Sequence, residues 1–237
     1  MQPLPQRRRR TKRQAGWYVI FQKSPYAGAR SLESLQPLVN SFGDRVVPLH
    51  IDLNLPQTII DAAALAQDVQ MVVNNAGTLR MATPLDSTAI DALGFEIEVN
   101  VFGLMRMAQA FASVLDRNGG GIFVQMNSLA SVKNFSGFAT YSASKAASYS
   151  ITQALRELLE VQGTRVISVH PGPIATDMAD TAGLSEIAEP AAQVPEAIIA
   201  ALGNDDFHVY PDTMARQIGS AYHGFARSVI EANLMEG

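Results

Sequence analysis

Residues 45–75 read RVVPLHIDLNLPQTIIDAAALAQDVQMVVNN. Two short apolar runs, Arg45 to Ile51 and Val69 to Asn74, flank a stretch from Gln57 to Gln67 whose apolar residues recur at helical spacing. Continuous apolar runs of this length suit strands buried on both faces, and strand, helix and strand in succession make one βαβ unit. Both runs stop at polar residues, Asp52 after the first and Asn74 with Asn75 at the second.

The alternation continues outward from this unit. Ser87 to Leu115 reads as one long helix with Gly94 and Gly103 as weak spots, then come the turn Asn118 to Gly121 and a strand, Ile122 to Met126. A second long helix is expected from about Tyr141 to Glu160, followed by a strand from Thr164 to His170 that ends at Pro171-Gly172-Pro173. An irregular stretch to about Val194, a short helix Pro195 to Leu202, a strand Phe207 to Tyr210 and a helix from about Asp212 complete the chain. The expected fold class is α/β: a doubly wound parallel sheet, Rossmann-like and three-layered, with ligands at the carboxyl ends of the strands. Asp52, Asn74, Asn75, Ser128 and Pro171 fall at those ends and should line one crevice.

The 237 residues, 47% of them hydrophobic, suffice for one such domain, assigned to residues 26–237. No run approaches the roughly 18 apolar residues that span a bilayer, and the N-terminus has no apolar signal core, so neither a membrane nor a secretory route is expected. There is no cysteine. That excludes disulfides, thiolate metal sites and a cysteine nucleophile, agrees with a cytoplasmic protein, and no metal is expected.

Charge is uneven. Residues 1–32 hold eight of the 18 Lys and Arg and no acid, while the rest carries ten basic against 22 acidic residues. An acidic body argues against a nucleic-acid surface; Arg7 to Arg10, Lys12 and Arg13 form a local basic arm that reads as a solvated tail.

Tyr141 and Lys145 lie four apart at the start of a helix, so their side chains share a face. A nearby cation stabilises a phenolate, which would move the Tyr toward the pH range of general acid–base work. Ser128 stands thirteen residues earlier at a strand end, Asn74-Asn75-Ala76-Gly77 ends another strand, and Asn100 lies inside the long helix. Together, in this order, these residues resemble the short-chain dehydrogenase/reductase family over about residues 26 to 237.

The resemblance implies an oxidoreductase that interconverts a carbonyl and a secondary alcohol by hydride transfer. It implies that Ser128 polarises the substrate oxygen, Tyr141 is the acid or base, Lys145 binds the nicotinamide ribose, and Asn100 extends the proton relay through a water on its backbone. Asn75, Ala76 and Gly77 match the segment beneath the adenosine ribose. Pro171, Gly172, Ile174 and Thr176 match the nicotinamide-side loop, and Asp52 matches the acid on the adenine amino group. Arg30 occupies the place after the second strand where an acid would hold the ribose hydroxyls of NAD; an arginine there favours a 2′-phosphate, hence NADP over NAD. A small apolar carbonyl or alcohol substrate should lie between Ser128, Tyr141 and the loop Met178 to Ala192, with Phe135 and Phe138 as walls. The family association surface, here Ser87 to Leu115 and Tyr141 to Glu160, implies a homodimer or homotetramer.

One family element is missing. The first strand should lead into a glycine-rich turn that cradles the pyrophosphate, yet before residue 40 the glycines are Gly16 and Gly28 alone. Residues 1–25 form an atypical basic segment, read as a displaced frame or start upstream of Tyr26 or else as a divergent arm. Trp17 to Phe21 is apolar and β-prone and can replace one strand but not a helix and turn as well. Two alternatives stay open: a non-catalytic relative that keeps the fold, separated by NADPH binding, and an anionic-surface or nucleic-acid binder, which requires salt-dependent binding lost on deleting residues 1–13.

Overall fold

The computed structural model describes the backbone of residues 18–20 and the whole of residues 25–232. The arginine arm lies outside the described residues. Seven strands are described, β1 Tyr18–Ile20, β2 Tyr26–Ala29, β3 Val47–His50, β4 Met71–Asn74, β5 Ile122–Met126, β6 Arg165–Val169 and β7 His208–Val209. They form two ladders, β1-β2-β3 and β4-β5-β6-β7; all pairs are parallel except β1 with β2. β1 is hydrogen-bonded to β2 and lies alongside β4, so the two ladders adjoin there.

The helices are α1 Gln36–Phe42, α2 Pro56–Leu65, α3 Ala89–Ile97, α4 Gly103–Arg117, α5 Ala139–Glu160, α6 Asp177–Thr181, α7 Gln193–Ala201 and α8 Thr213–Phe225. Side chains alternate across the central strands. Val72, Phe123 and Val166 meet Phe111 and Leu115 of α4, Ile59 of α2 and Tyr149 of α5 on one face; Met71, Val124 and Ile167 meet Ile198 of α7 on the other. This is the three-layer, doubly wound Rossmann-like architecture. β3 is an edge, which is why Pro48, with no N–H to give a ladder, is tolerated within it.

The triglycine turn is dictated by close backbone approach. Gly119, Gly120 and Gly121 all have positive φ, and a Cβ on Gly120 or Gly121 would stand 2.2 Å from the carbonyl oxygen of Gly163 or Gln70. The strands β5 and β6 therefore start side by side, and their far ends are brought to one rim.

The helix expected as one piece from Ser87 to Leu115 is in fact two, joined by a π-helical turn at Glu98–Phe102. Two contacts account for it. The Asn100 side chain hooks onto the Thr78 backbone, accepting from its N–H at 2.8 Å and donating to its C=O at 2.9 Å. Gly103 presses on Leu53, where a Cβ would come within 2.7 Å of the Leu53 side chain. Turns of this kind concentrate at functional sites. Gly94, the other expected weak spot, sits inside α3 without interrupting it. The stretch expected to be irregular to Val194 contains α6, a 3₁₀ turn Ser185–Ile187 and a bridge between Ile174 and Glu189.

Candidate active site

α5 begins two residues before Tyr141, so Tyr141 and Lys145 occupy its first two turns and point back toward the rim of β5. Both are buried, at 6% and 3% exposure. The Lys145 ammonium donates to the carbonyl of Met126, the last residue of β5, at 2.8 Å, and lies 5.9 Å from the centre of the Tyr141 ring. Ser128 follows two residues after β5. Its hydroxyl oxygen accepts the Ala130 N–H at 3.1 Å, capping a short 3₁₀ turn, and its own proton makes a long bond of 3.5 Å to Pro171 O. The Leu129 N–H donates to Pro171 O at 2.9 Å, tying this turn to the loop after β6.

Electrostatics correct one expectation. The Tyr141 phenol is expected to be acidified by Lys145; instead it is pushed up to about 12, because burial outweighs the Ser128 hydroxyl that draws it down, and the Glu96 carboxylate adds to the rise. The ammonium is engaged by Met126 and contributes little to the phenol. Lys145 is itself pulled down to about 8 by burial.

Gly77 lies against this pair. A Cβ there would stand 3.2 Å from Asn100 Oδ1 and 3.4 Å from Lys145 Nζ, so a bare backbone is what lets Asn75, Ala76 and Gly77 pass over the two side chains. Asn100 also donates to Ser144 Oγ at 2.9 Å, which links the π-helical turn to α5. Asn74, expected in the same crevice, is turned the other way: it is 1% exposed and donates to Gln125 Oε1 inside the sheet–α5 layer. It ends β4 one residue too early to reach the rim, which falls to Asn75.

The remaining expected residues are spread along the rim. Asp52 stands past the end of β3 with Oδ1 accepting the Asn54 N–H at 2.9 Å, closing a local turn. Arg30 is exposed immediately after β2. Pro171, Gly172 and Ile174 form the loop after β6; Thr176 caps α6 in position, with its hydroxyl on Ile174 O. Phe135 and Phe138 stack at 5.3 Å, and Phe138 meets Tyr141 edge-on at 6.2 Å.

Two important residues escape sequence reasoning. Asp212 is buried and holds Gly172 N–H with Oδ2 at 2.7 Å and Ala215 N–H with Oδ1 at 2.9 Å, fastening the loop to α8; a Cβ on Gly172 would strike this carboxylate at 2.7 Å. Asp212→Ala is expected to destabilise by about 2–4 kcal/mol, the sum of a lost cap and an orphaned buried N–H, read as a lower denaturation midpoint at unchanged slope. Glu96 is wholly buried in α3, where Oε1 accepts Arg80 N–H at 2.7 Å. Burial raises its carboxyl group above the usual range, opposed by Arg80 and Thr140. The weak signal for Asp212 is its cap position before α8; Glu96 has none, since an acid on a helix face usually means solvent.

No group of His, Asp and Glu among the described residues is placed to hold a metal, and no helix among them is long and apolar enough to cross a membrane. At the rim of the strand ends a buried Tyr and Lys thus stand one helical turn apart, with Ser128 capping the turn beside them and the bare Gly77 backbone passing over them. The chain belongs to the short chain dehydrogenase family, whose model matches residues 13–186. It is similar to the NADPH-dependent 1-acyldihydroxyacetone phosphate reductase of Saccharomyces cerevisiae, with 33% identity over 68% of this chain and 56% of the relative. Estradiol 17-beta-dehydrogenase 2 of Rattus norvegicus is 28% identical over 60% of this chain and 39% of that protein. The chain spans about half the length of the curated relatives it matches. A short chain dehydrogenase from Burkholderia cenocepacia, solved in complex with NADP, superposes with a TM-score of 0.78 at 34% identity, over 90% of this chain and 86% of that one. Members of the family are oxidoreductases; solved neighbours include complexes with NADP and, in one from Burkholderia phymatum, with NAD.

Proposed function

We propose that the chain is an NADP-dependent reductase that interconverts a small apolar carbonyl and its secondary alcohol. The observation that carries this reading is the cluster of buried Tyr141 and Lys145 with half-buried Ser128, against the Gly77 backbone. These residues fit the ribose and nicotinamide end of a dinucleotide: Lys145 would hold ribose hydroxyls, and the backbone of Pro171, Gly172 and Ile174 with the Thr176 hydroxyl would hold the carboxamide. When bound, the nicotinamide supplies the hydride. Ser128, its oxygen engaged by Ala130, would turn its proton from the long bond to Pro171 O toward the carbonyl oxygen. Tyr141, kept protonated by burial, donates to the alkoxide as charge develops there, while the Phe135 and Phe138 rings exclude water from one side. Asn100 anchors the π-helical turn, whose loosened backbone carbonyls can hold a relay water.

The pyrophosphate end fits less well. Among the described residues no helix follows β1, since β2 begins at Tyr26 and pairs antiparallel to it. This favours a second reading, a family member that keeps the fold and binds dinucleotide weakly. Titrating the chain with NADPH by fluorescence separates the two: micromolar affinity with turnover of a carbonyl panel supports the reductase, and failure to bind at millimolar NADPH sinks it. Arg30, exposed at the end of β2, and Asp52 are proposed to meet the adenosine side. Arg30→Ala is expected to weaken NADPH about 10- to 100-fold while leaving NADH within a few fold, the measure of one charge-assisted phosphate contact. Phe102, Met105 and Leu158 expose apolar surface on the π-helical turn, α4 and α5, which supports a homodimer or homotetramer through those helices.

A further inference from the structure

Beneath Ser128 a hydrogen-bonded chain runs through groups that no part of the proton relay uses. Asn127 Nδ2 donates to Ser168 Oγ at 2.8 Å; Ser168 Oγ meets His170 Nε2 at 2.7 Å; His170 Nδ1 meets Ser131 Oγ at 2.9 Å; and Ser131 Oγ donates to the Ser128 carbonyl at 2.5 Å. His170 and Ser168 are fully buried, and Asn127 and Ser131 nearly so. The directions of these bonds are forced. The Ser128 carbonyl can only accept, so the Ser131 proton is spent on it and Ser131 must accept from the imidazole. His170 Nδ1 also approaches the Ser128 carbonyl at 3.3 Å, which again requires a proton on Nδ1. Nε2 is then a lone-pair acceptor of the Ser168 hydroxyl, whose own lone pair takes the Asn127 amide. Every donor in the chain points one way, toward the backbone of Ser128.

From this geometry we propose that His170 is a positioning residue of the active site, a neutral imidazole fixed as the Nδ1–H tautomer that sets where the Ser128 hydroxyl stands. Its two bonds hold the 3₁₀ turn from Leu129 to Ser131 that Ser128 caps, and the Tyr149 ring, perpendicular to the imidazole with centres 4.8 Å apart, fixes its plane. Burial, reinforced by His208 and Lys145 and opposed by the Ser128 carbonyl, depresses the imidazole to about 3, so it is neutral near neutral pH. The groups around it are Tyr149 from α5, His208 and Tyr210 from β7 and the residue after it, and Ser128 and Ser131 from the turn. A displacement of an ångström at a reacting group costs on the order of a hundredfold in rate. The chain therefore matters for turnover even though none of its members meets substrate.

The inference rests on the reductase reading, so one measurement is independent of turnover. Long-range ¹H–¹⁵N spectra of the free imidazoles, with His170 assigned by its loss in His170→Asn, should show a protonated Nδ1 and a pyridine-type Nε2 from pH 5 to 9. A proton on Nε2, or titration within that range, would overturn the proposal whether or not the chain reduces a carbonyl. With turnover in hand, His170→Asn keeps a donor at the Nδ1 position and should retain kcat within about threefold, while His170→Leu should lose about 10- to 100-fold in kcat at nearly unchanged NADPH affinity. In a Ser128→Ala background the His170→Leu change should cost less than about twofold, because no hydroxyl is left to misplace. Equal losses in both backgrounds would make His170 a general stability residue instead. If His170→Leu does not fold, the Asn variant and the tautomer decide the matter.

Discussion

Tyr141→Phe is expected to lower kcat for carbonyl reduction by about 10²- to 10⁴-fold while leaving NADPH affinity within about twofold and the melting temperature unchanged or raised. The rate loss follows because, on the proposed reading, the phenol is the group that passes a proton to the developing alkoxide, and phenylalanine has none to give. Affinity should survive because the ring stays and only its oxygen leaves. Stability should survive because a buried hydroxyl held chiefly by Ser128 contributes little against its own desolvation. Steady-state kinetics beside a fluorescence titration measure both. A loss of affinity as large as the loss of rate would place Tyr141 in cofactor binding rather than proton transfer.

Lys145→Met should separate activity from stability still more sharply. The ammonium is 3% exposed, and among the described residues it has a single hydrogen-bond partner, the Met126 carbonyl. Burial draws it down from its usual 10.5 to about 8. A folded-state value below the unfolded one means that folding disfavours the cation. The cost is fully present below pH 8, shrinks as pH rises, and vanishes above about 10.5; at pH 7 it is on the order of 3 kcal/mol. Methionine fills the same channel without charge, although it leaves the Met126 carbonyl unpaired, which offsets part of the gain. Turnover should fall by about 10²-fold or more, since the ribose hydroxyls lose the cation proposed to hold them. Denaturation midpoints should meanwhile be equal to or above those of the parent at pH 7, with the difference shrinking toward pH 10. A variant that is less stable at pH 7 and equally stable at pH 10 would reverse the sign and refute the account.

Much of the fold is legible in the sequence because its central strands are buried on both faces. Ile122 to Met126 and Val69 to Asn74 read as short, mainly apolar runs, each with one internal Gln, and the triglycine turn can be little else. Tyr141, Lys145, Ser128 and Asn100 are legible because spacing and order along the chain carry them. What is not legible depends on distant pairing. The break in the long helix is made by Asn100 reaching Thr78 and by Gly103 meeting Leu53, contacts that no helical periodicity announces. Asp212 lies 40 residues from the glycine it fastens, and Ser131 lies 39 from His170. The direction of the Tyr141 shift also depends on burial: a cation four residues away predicts one sign, and the packed interior imposes the other.

The two ladders adjoin at β1 without a described hydrogen-bonded rung between β1 and β4. Leu49 and Ile51 tie β3 into the main core by side chains, while Ala27 and Ala29 of β2 share only a small cluster with Leu35 and Val46. Cooperativity should weaken at that seam. The edge bearing Arg30 would then open as its own small unit, exchanging its amide hydrogens well before the β4–β6 block that carries the catalytic rim. An anion bridging the seam would act as the missing rung, so the adenosine end would gain order from the molecule it holds and the opposite end would already have it.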